Sequence, residues 1–188
     1  GPTSAGFCNN CPADSMAAGG YGIASDGFGN LYLAEGTYIR KINQANVITT
    51  IAGNGMLGHS GNGGLADTAN IVAYDIYVDR NTGTIYFNDW GWDVRKINAA
   101  GIISHVAGNN HFAGYTGDEG LADTAGFEQT NGMTMDTAGN LYIADRTANT
   151  IRVIDANGFI HRFAGEVDDP GFSGDGCLSS CAKLYTPQ

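Results

Sequence analysis

Hydrophobic and polar positions alternate along this chain in short bursts of about five to seven residues, separated by turn residues. The clearest are Asn30 to Glu35 (NLYLAE), Thr84 to Asp89 (TIYFND) and Asn140 to Asp145 (NLYIAD). A further burst follows each of these, at Tyr38 to Asn43, Asp93 to Asn98 and Thr150 to Asp155. Another comes after it, at Val47 to Gly53, Ile102 to Gly108 and Phe159 to Gly165. A weaker apolar run precedes each set, at Tyr21 to Asp26, Asp75 to Asp79 and Gly132 to Asp136. Runs this short, rich in β-branched and aromatic residues, predict strands. Gly27-Phe28-Gly29, Asn81-Thr82-Gly83, Thr137-Ala138-Gly139, Ala99-Ala100-Gly101 and Ala156-Asn157-Gly158 are turn sequences that join antiparallel neighbours. Four strands joined in this way predict an up-and-down meander.

The meander recurs. Leu31-Tyr32, Ile85-Tyr86 and Leu141-Tyr142 lie 54 and 56 residues apart, and Ala52-Gly53, Ala107-Gly108 and Ala164-Gly165 lie 55 and 57 apart. A period in this range marks a repeat architecture, in which one unit cannot bury its apolar face alone and stacks on its neighbours. Four-stranded antiparallel sheets at this interval predict an all-β protein, with the sheets as blades of a β-propeller. Residues 1–20 read as the tail of a preceding inter-blade loop with a cysteine pair. Residues 21–71, 72–127 and 128–184 read as three blades, and 185–188 as the start of a next one. Closed propellers need about 4–8 blades. The three are therefore expected to be part of a larger ring or assembly, completed by further sequence of the same protein or by a homo-oligomer.

The repeated residues resemble the NHL-repeat family of propellers, of the extracellular type. The features shared are a Gly-Asn-Leu-Tyr strand start, an acidic residue closing that strand, Ile-Arg in the next, and Ala-Gly closing the fourth. A loop follows: GNGGLADTA at 61–69, GDEGLADTA at 117–125 and GDGCLSSCA at 174–182. In the third loop Cys177 stands in the place of Gly and Cys181 in that of Thr, which suggests a loop pinned by a bridge. Related propellers include an amidating-lyase branch that holds zinc through channel histidines. The inner runs of this chain contain no histidine, so the resemblance implies a display module rather than that chemistry.

Charge narrows the partners. The chain has 9 basic and 19 acidic residues, net −10. Nucleic-acid binding needs a basic footprint that is absent here, and an anionic membrane surface is disfavoured for the same reason. No apolar run approaches the ~20 residues that span a bilayer, so membrane insertion is not expected. Four cysteines fall in two close pairs, Cys8/Cys11 and Cys177/Cys181. Zinc held by both pairs competes with disulfides. The even number, the spacing and the loop-rich all-β pattern favour disulfides in an extracellular or cell-surface setting. Four cysteines allow three connectivities; the two local bridges are preferred.

Glu35, Asp89 and Asp145 recur with Arg40, Arg95 and Arg152, once per copy, as expected of structural ion pairs rather than of an asymmetric catalytic site. Asp67, Asp118, Glu119, Asp123 and Asp175 could hold calcium, but their loops lack the alternating ligand pattern of a dedicated site. No metal site, cofactor or catalytic residue is assigned. The copies differ most between their second and third strands, where Trp90-Gly91-Trp92 replaces Gly36-Thr37-Tyr38. The meander brings Tyr38, Trp90 and Trp92 to the same edge as the long loops with His59, His111, Phe112 and Tyr115. This aromatic rim suits protein or carbohydrate contact. The expectation is a non-catalytic interaction or structural module; the alternative is a metal-dependent lyase or hydrolase with a site in the propeller channel.

Overall fold

The computed structural model describes residues 8–13, 20–109 and 113–188. The described residues form fourteen strands: β1 (Cys11–Pro12), β2 (Gly22–Ser25), β3 (Leu31–Ala34), β4 (Ile39–Ile42), β5 (Val47–Ala52), β6 (Ala73–Val78), β7 (Ile85–Asp89), β8 (Asp93–Ile97), β9 (Ile103–Ala107), β10 (Gly120–Leu121), β11 (Thr130–Met135), β12 (Leu141–Asp145), β13 (Thr150–Ile154) and β14 (Phe159–Gly165). They form three antiparallel sheets in the orders β1-β5-β4-β3-β2, β6-β7-β8-β9 and β10-β14-β13-β12-β11. The chain divides into two compact units, Gly1–Trp90 with Lys96–Ser104, and Gly91–Arg95 with His105–Gln188.

The turns between first and second strands, and between third and fourth, are set by a carboxylate or amide that caps its own turn. Asp26 accepts the N–H groups of Phe28 and Asn30, the Asn30 side chain at 2.6 Å and the Tyr32 hydroxyl at 3.1 Å. Asp136 does the same for Ala138, Asn140 and Tyr142. Between the third and fourth strands of each sheet, Asn43, Asn98 and Asp155 each accept two backbone N–H groups. Such Asx turns fix strand register locally.

Burial works to raise the Asp26 pKa, but the hydrogen bonds from Asn30, Phe28 and Tyr32 outweigh it and bring it down to about 2. The same pair pushes Tyr32 up to about 12, burial first and the Asp26 bond second. The folded-state pKa of Asp26 lies below the ordinary carboxylate value of about 3.9. Its contribution to stability is therefore present above that value and is lost as pH falls toward about 2. Asp26→Asn is expected to flatten the acid limb of the urea-midpoint-against-pH curve between about pH 4 and 2. Identical limbs in the two proteins would remove this role from Asp26.

Two of the three sheets have a fifth strand where four were expected. The inter-blade loop is extended at β1 and β10 and pairs with the outer strand of the sheet that follows it: Pro12 opposite Val47, Leu121 opposite Phe159. In the second sheet the contact shrinks to one bridge, Leu65 to Ile102. Outer strands are open edges, and covering them satisfies their backbone groups. Glu119 N–H donates to Ile160 O at 2.8 Å and Ala122 N–H to Gly158 O at 2.9 Å; Gly63 and Ala66 make the matching bonds to Ile103 and Gly101. Loop residues that fall in one copy by sequence thus close the sheet of the next.

The core uses small and β-branched side chains. In the first unit Ala34, Ile39, Ala52, Ile71, Ala73, Phe87 and Ile103 are wholly buried in one cluster. Each buried isoleucine is worth roughly 1.5–3 kcal/mol over an exposed one. Beside these sit three fully buried arginines, Arg40, Arg95 and Arg152.

The cysteine expectation holds at one end and is corrected at the other. Cys8 and Cys11 are bridged, with their Cα atoms 6.1 Å apart. Cys177 and Cys181 are free and exposed. The reason is local. Cys177 N–H closes onto Gly174 O at 3.0 Å and Cys181 ends a single 3-10 turn, Ser179–Cys181, its N–H on Leu178 O at 2.9 Å. At the position equivalent to Cys181, Thr68 turns its hydroxyl back onto Leu65 O at 2.9 Å. Backbone bonds close this loop without a bridge, as they do in its two siblings.

Candidate functional site

Strands β3 and β4 of the first sheet are joined by Glu35, Gly36, Thr37 and Tyr38. Gly36 exchanges two hydrogen bonds with Ala73, N–H to Ala73 O at 3.1 Å and Ala73 N–H to Gly36 O at 2.7 Å. Gly36 takes φ +69°, and its counterpart in the second sheet, Trp90, takes φ +60°. Where that sheet carries an indole, the first therefore carries no side chain. The result is a cleft of about 600 Å³ lined by Tyr21, Glu35, Gly36, Thr37, Leu57 and Tyr74. This lies within the range of about 300–1,000 Å³ of small-molecule sites.

Its walls are aromatic. Tyr21 and Tyr74 meet edge to face, centroids 5.1 Å apart at 68°. Tyr21 is 71% exposed and Leu57 68%. The polar element is Glu35, 12% exposed at the side chain, whose Oε2 lies 3.6 Å from Arg40 Nη1. Its Oε1 is buried and makes no hydrogen bond among the described residues. Burial raises the Glu35 pKa, and the Arg40 guanidinium opposes that shift.

The loops around the cleft are stapled. Gly53 N–H donates to Ala66 O at 2.8 Å, and the Asn54 side chain donates to Thr68 O and to Asn70 Oδ1. Strands β2 and β6 approach so closely that a Cβ on Gly22 would fall 2.8 Å from the Cα of Asp75.

The residues expected on the rim have diverse places. Trp90 is 36% exposed, and Tyr38 and Trp92 are half-buried. His59 is turned inward, its Nδ1 2.9 Å from the buried Asp89 Oδ2. Tyr115 is also turned inward: its hydroxyl donates to Asp118 Oδ2 at 2.6 Å and its ring lies 4.4 Å from the Arg152 guanidinium carbon. Burial, and then the Asp118 bond, push its phenol well above the usual range. His111 and Phe112 lie outside the described residues.

Of the acid–arginine sets, Glu35 and Arg40 face one another as above. Asp89 accepts Val72 N–H at 2.6 Å, and Asp145 accepts the N–H groups of Glu128 and Gln129. Burial raises Asp145, with those two N–H groups and Arg152 opposing. Arg152 makes its salt bridge to Asp118 at 2.7 Å. In the same way Arg40 donates to Cys8 O of the preceding loop. Asp118, one of the loop acids considered for calcium, is thus engaged by Arg152 and Tyr115.

Sequence reasoning missed Tyr21, Tyr74, Leu57 and Thr37. A signal for them exists: aligned on Asp26, Asp79 and Asp136, the position five residues earlier holds Tyr21, Tyr74 and Asn131 in turn. The aromatic pair therefore belongs to the first two copies alone.

Comparison with known proteins places the fold. No family model matches the chain. It is 30% identical over 193 residues to human Teneurin-1 and 29% identical to mouse Teneurin-1, alignments covering 88% of the chain. The chain spans only 7% of the length of these curated relatives. A Bacteroides thetaiotaomicron protein of unknown function superposes with TM-score 0.70 at 22% identity, covering 88% of this chain and 40% of that one. An auxiliary nutrient binding protein from Bacteroides ovatus gives 0.63 at 17%, covering 89% and 41%. A streptogramin B lyase gives 0.50 at 16%, covering 79% and 40%. The solved neighbours are β-propeller proteins, and the likeness gives this all-β chain of three antiparallel sheets a propeller-type fold.

Proposed function

We propose that the chain is a non-catalytic extracellular binding module of NHL-repeat type, which holds a ligand against side chains fixed by stapled sheets and loops. The observation that carries this reading is the cleft under Gly36: open, of ligand size and aromatic-walled, on backbone pinned from both sides. The Cys8–Cys11 bridge fits an oxidising compartment, and the name of the Bacteroides ovatus neighbour fits ligand capture. The lyase or hydrolase reading rests on fold analogy. Among the described residues no three His, Cys, Asp or Glu side chains gather as a metal site.

The module reading extends to assembly with a further blade. Leu178 is 76% exposed at the position where Leu65 and Leu121 meet the following outer strand. A Cβ on Gly132 would fall 2.7 Å from Gln188, as one on Gly22 would meet Asp75. The test of the function is calorimetric titration with soluble oligosaccharides followed by chromatography of the recovered sugar. Saturable binding with unchanged sugar is expected. Cleaved or eliminated product would sink the reading in favour of an enzyme.

A further inference from the structure

We infer that the Tyr21–Tyr74 cleft receives a pyranose ring of a neutral oligosaccharide, an inference that rests on the binding-module reading and assigns its ligand class. An aromatic ring with an open face and a nearby acceptor is what a sugar needs: its C–H face packs on the ring and its hydroxyls seek hydrogen-bond partners. Tyr21 supplies the ring, steadied edge-on by Tyr74. Glu35 supplies the acceptor, because its side chain, 12% exposed, lines the cleft and carries a carboxylate there.

The competing ligand is a cation, which also favours carboxylates and aromatic faces. Arg40 decides against it. Its guanidinium lies 3.6 Å from Glu35, so the carboxylate charge is already offset and an incoming ammonium would also meet a buried guanidinium. A neutral hydroxyl needs only the lone pair. The missing side chain at Gly36 makes the room, since a Cβ there would meet nothing closer than Tyr21 at 3.9 Å.

The test uses the whole chain with cellohexaose, maltohexaose and xylohexaose as neutral probes and spermine as the cationic one. At least one hexaose is expected to bind saturably, while spermine binds far more weakly. Tyr21→Ala should weaken hexaose binding about tenfold or more, the effect of losing about 1.4 kcal/mol of stacking. Gly36→Trp, which copies the residue and backbone of the sibling repeat, should abolish it. Glu35→Gln should keep affinity within about threefold, because the amide oxygen still accepts. Melting curves confirm that each variant folds. Spermine binding that is lost in Glu35→Gln would overturn the inference in favour of a cation site. Hexaose binding that survives both Tyr21→Ala and Gly36→Trp would overturn the cleft while leaving the binding module intact. No hexaose binding at all would overturn the ligand class.

Discussion

Arg152→Ala is expected to remove about 3–5 kcal/mol of stability, the range for breaking a buried ion pair from one side. The guanidinium has no exposed surface and serves four acceptor contacts. Nε and Nη2 reach Asp118 Oδ1 at 3.1 and 2.7 Å, Nη1 reaches Gly126 O at 2.7 Å, and Nη2 reaches Thr116 O at 2.9 Å. The Tyr115 and Phe127 rings lie against it at 4.4 and 4.9 Å. Alanine would leave two carbonyls and a carboxylate without their donor and open a void between two rings, so desolvation and cavity terms add. At about 2–4 °C per kcal/mol for a chain of this size, the melting temperature should fall by on the order of 10 °C. Arg152→Lys should recover little, because one ammonium cannot serve a fork of carbonyls and a carboxylate together. A calorimetric melt of Arg152→Ala within about 2 °C of the parent would mean that the loop holds itself.

The same arginine shows where the sequence is legible and where it is not. Its recurrence after a β-branched residue, as Ile39-Arg40, Val94-Arg95 and Ile151-Arg152, marks it as structural without any structure, because a feature needed in every sheet appears in every repeat. Its partner is hidden. Asp145 and Asp118 both recur at their own places in the period, and periodicity cannot say which one the guanidinium meets. The salt bridge goes to Asp118, 34 residues upstream, since the loop folds back over the strand that follows it. Strands are legible for a simpler reason: alternation and Asx turns are local, and Asp26 or Asn43 caps a turn built from its immediate neighbours. The fifth strands are not, because Cys11–Pro12 and Gly120–Leu121 are two residues each and acquire extended pairing only from a distant edge. The cleft is not legible in the sequence, where the conspicuous difference between repeats is what the second one adds, Trp90 and Trp92. The opening comes from what the first repeat omits at Gly36.

The recurring Ala-Gly pair yields the second large effect: Gly165→Ala is expected to cost at least about 3 kcal/mol, and a matched control separates its two causes. Gly165 has φ +86°, which by itself costs a non-glycine residue about 1–3 kcal/mol. It also has no space. A Cβ there would lie 2.2 Å from Asn149 O and 2.9 Å from the Cα of Thr150. Those atoms cannot retreat easily, because β13 and β14 change register just beyond them, between Ile151 and Arg152. Moving β13 would drag the buried guanidinium off Asp118. Gly158 has nearly the same φ, +85°, but nothing within 4 Å of its virtual Cβ. Gly158→Ala should therefore show only the conformational cost, and the difference between the two urea midpoints should report the clash. Gly53, at φ +86° with Thr37 O 2.1 Å from its virtual Cβ, should behave like Gly165. Equal losses at 158 and 165 would show that backbone conformation alone, and not the close approach of two strands, keeps glycine in every repeat.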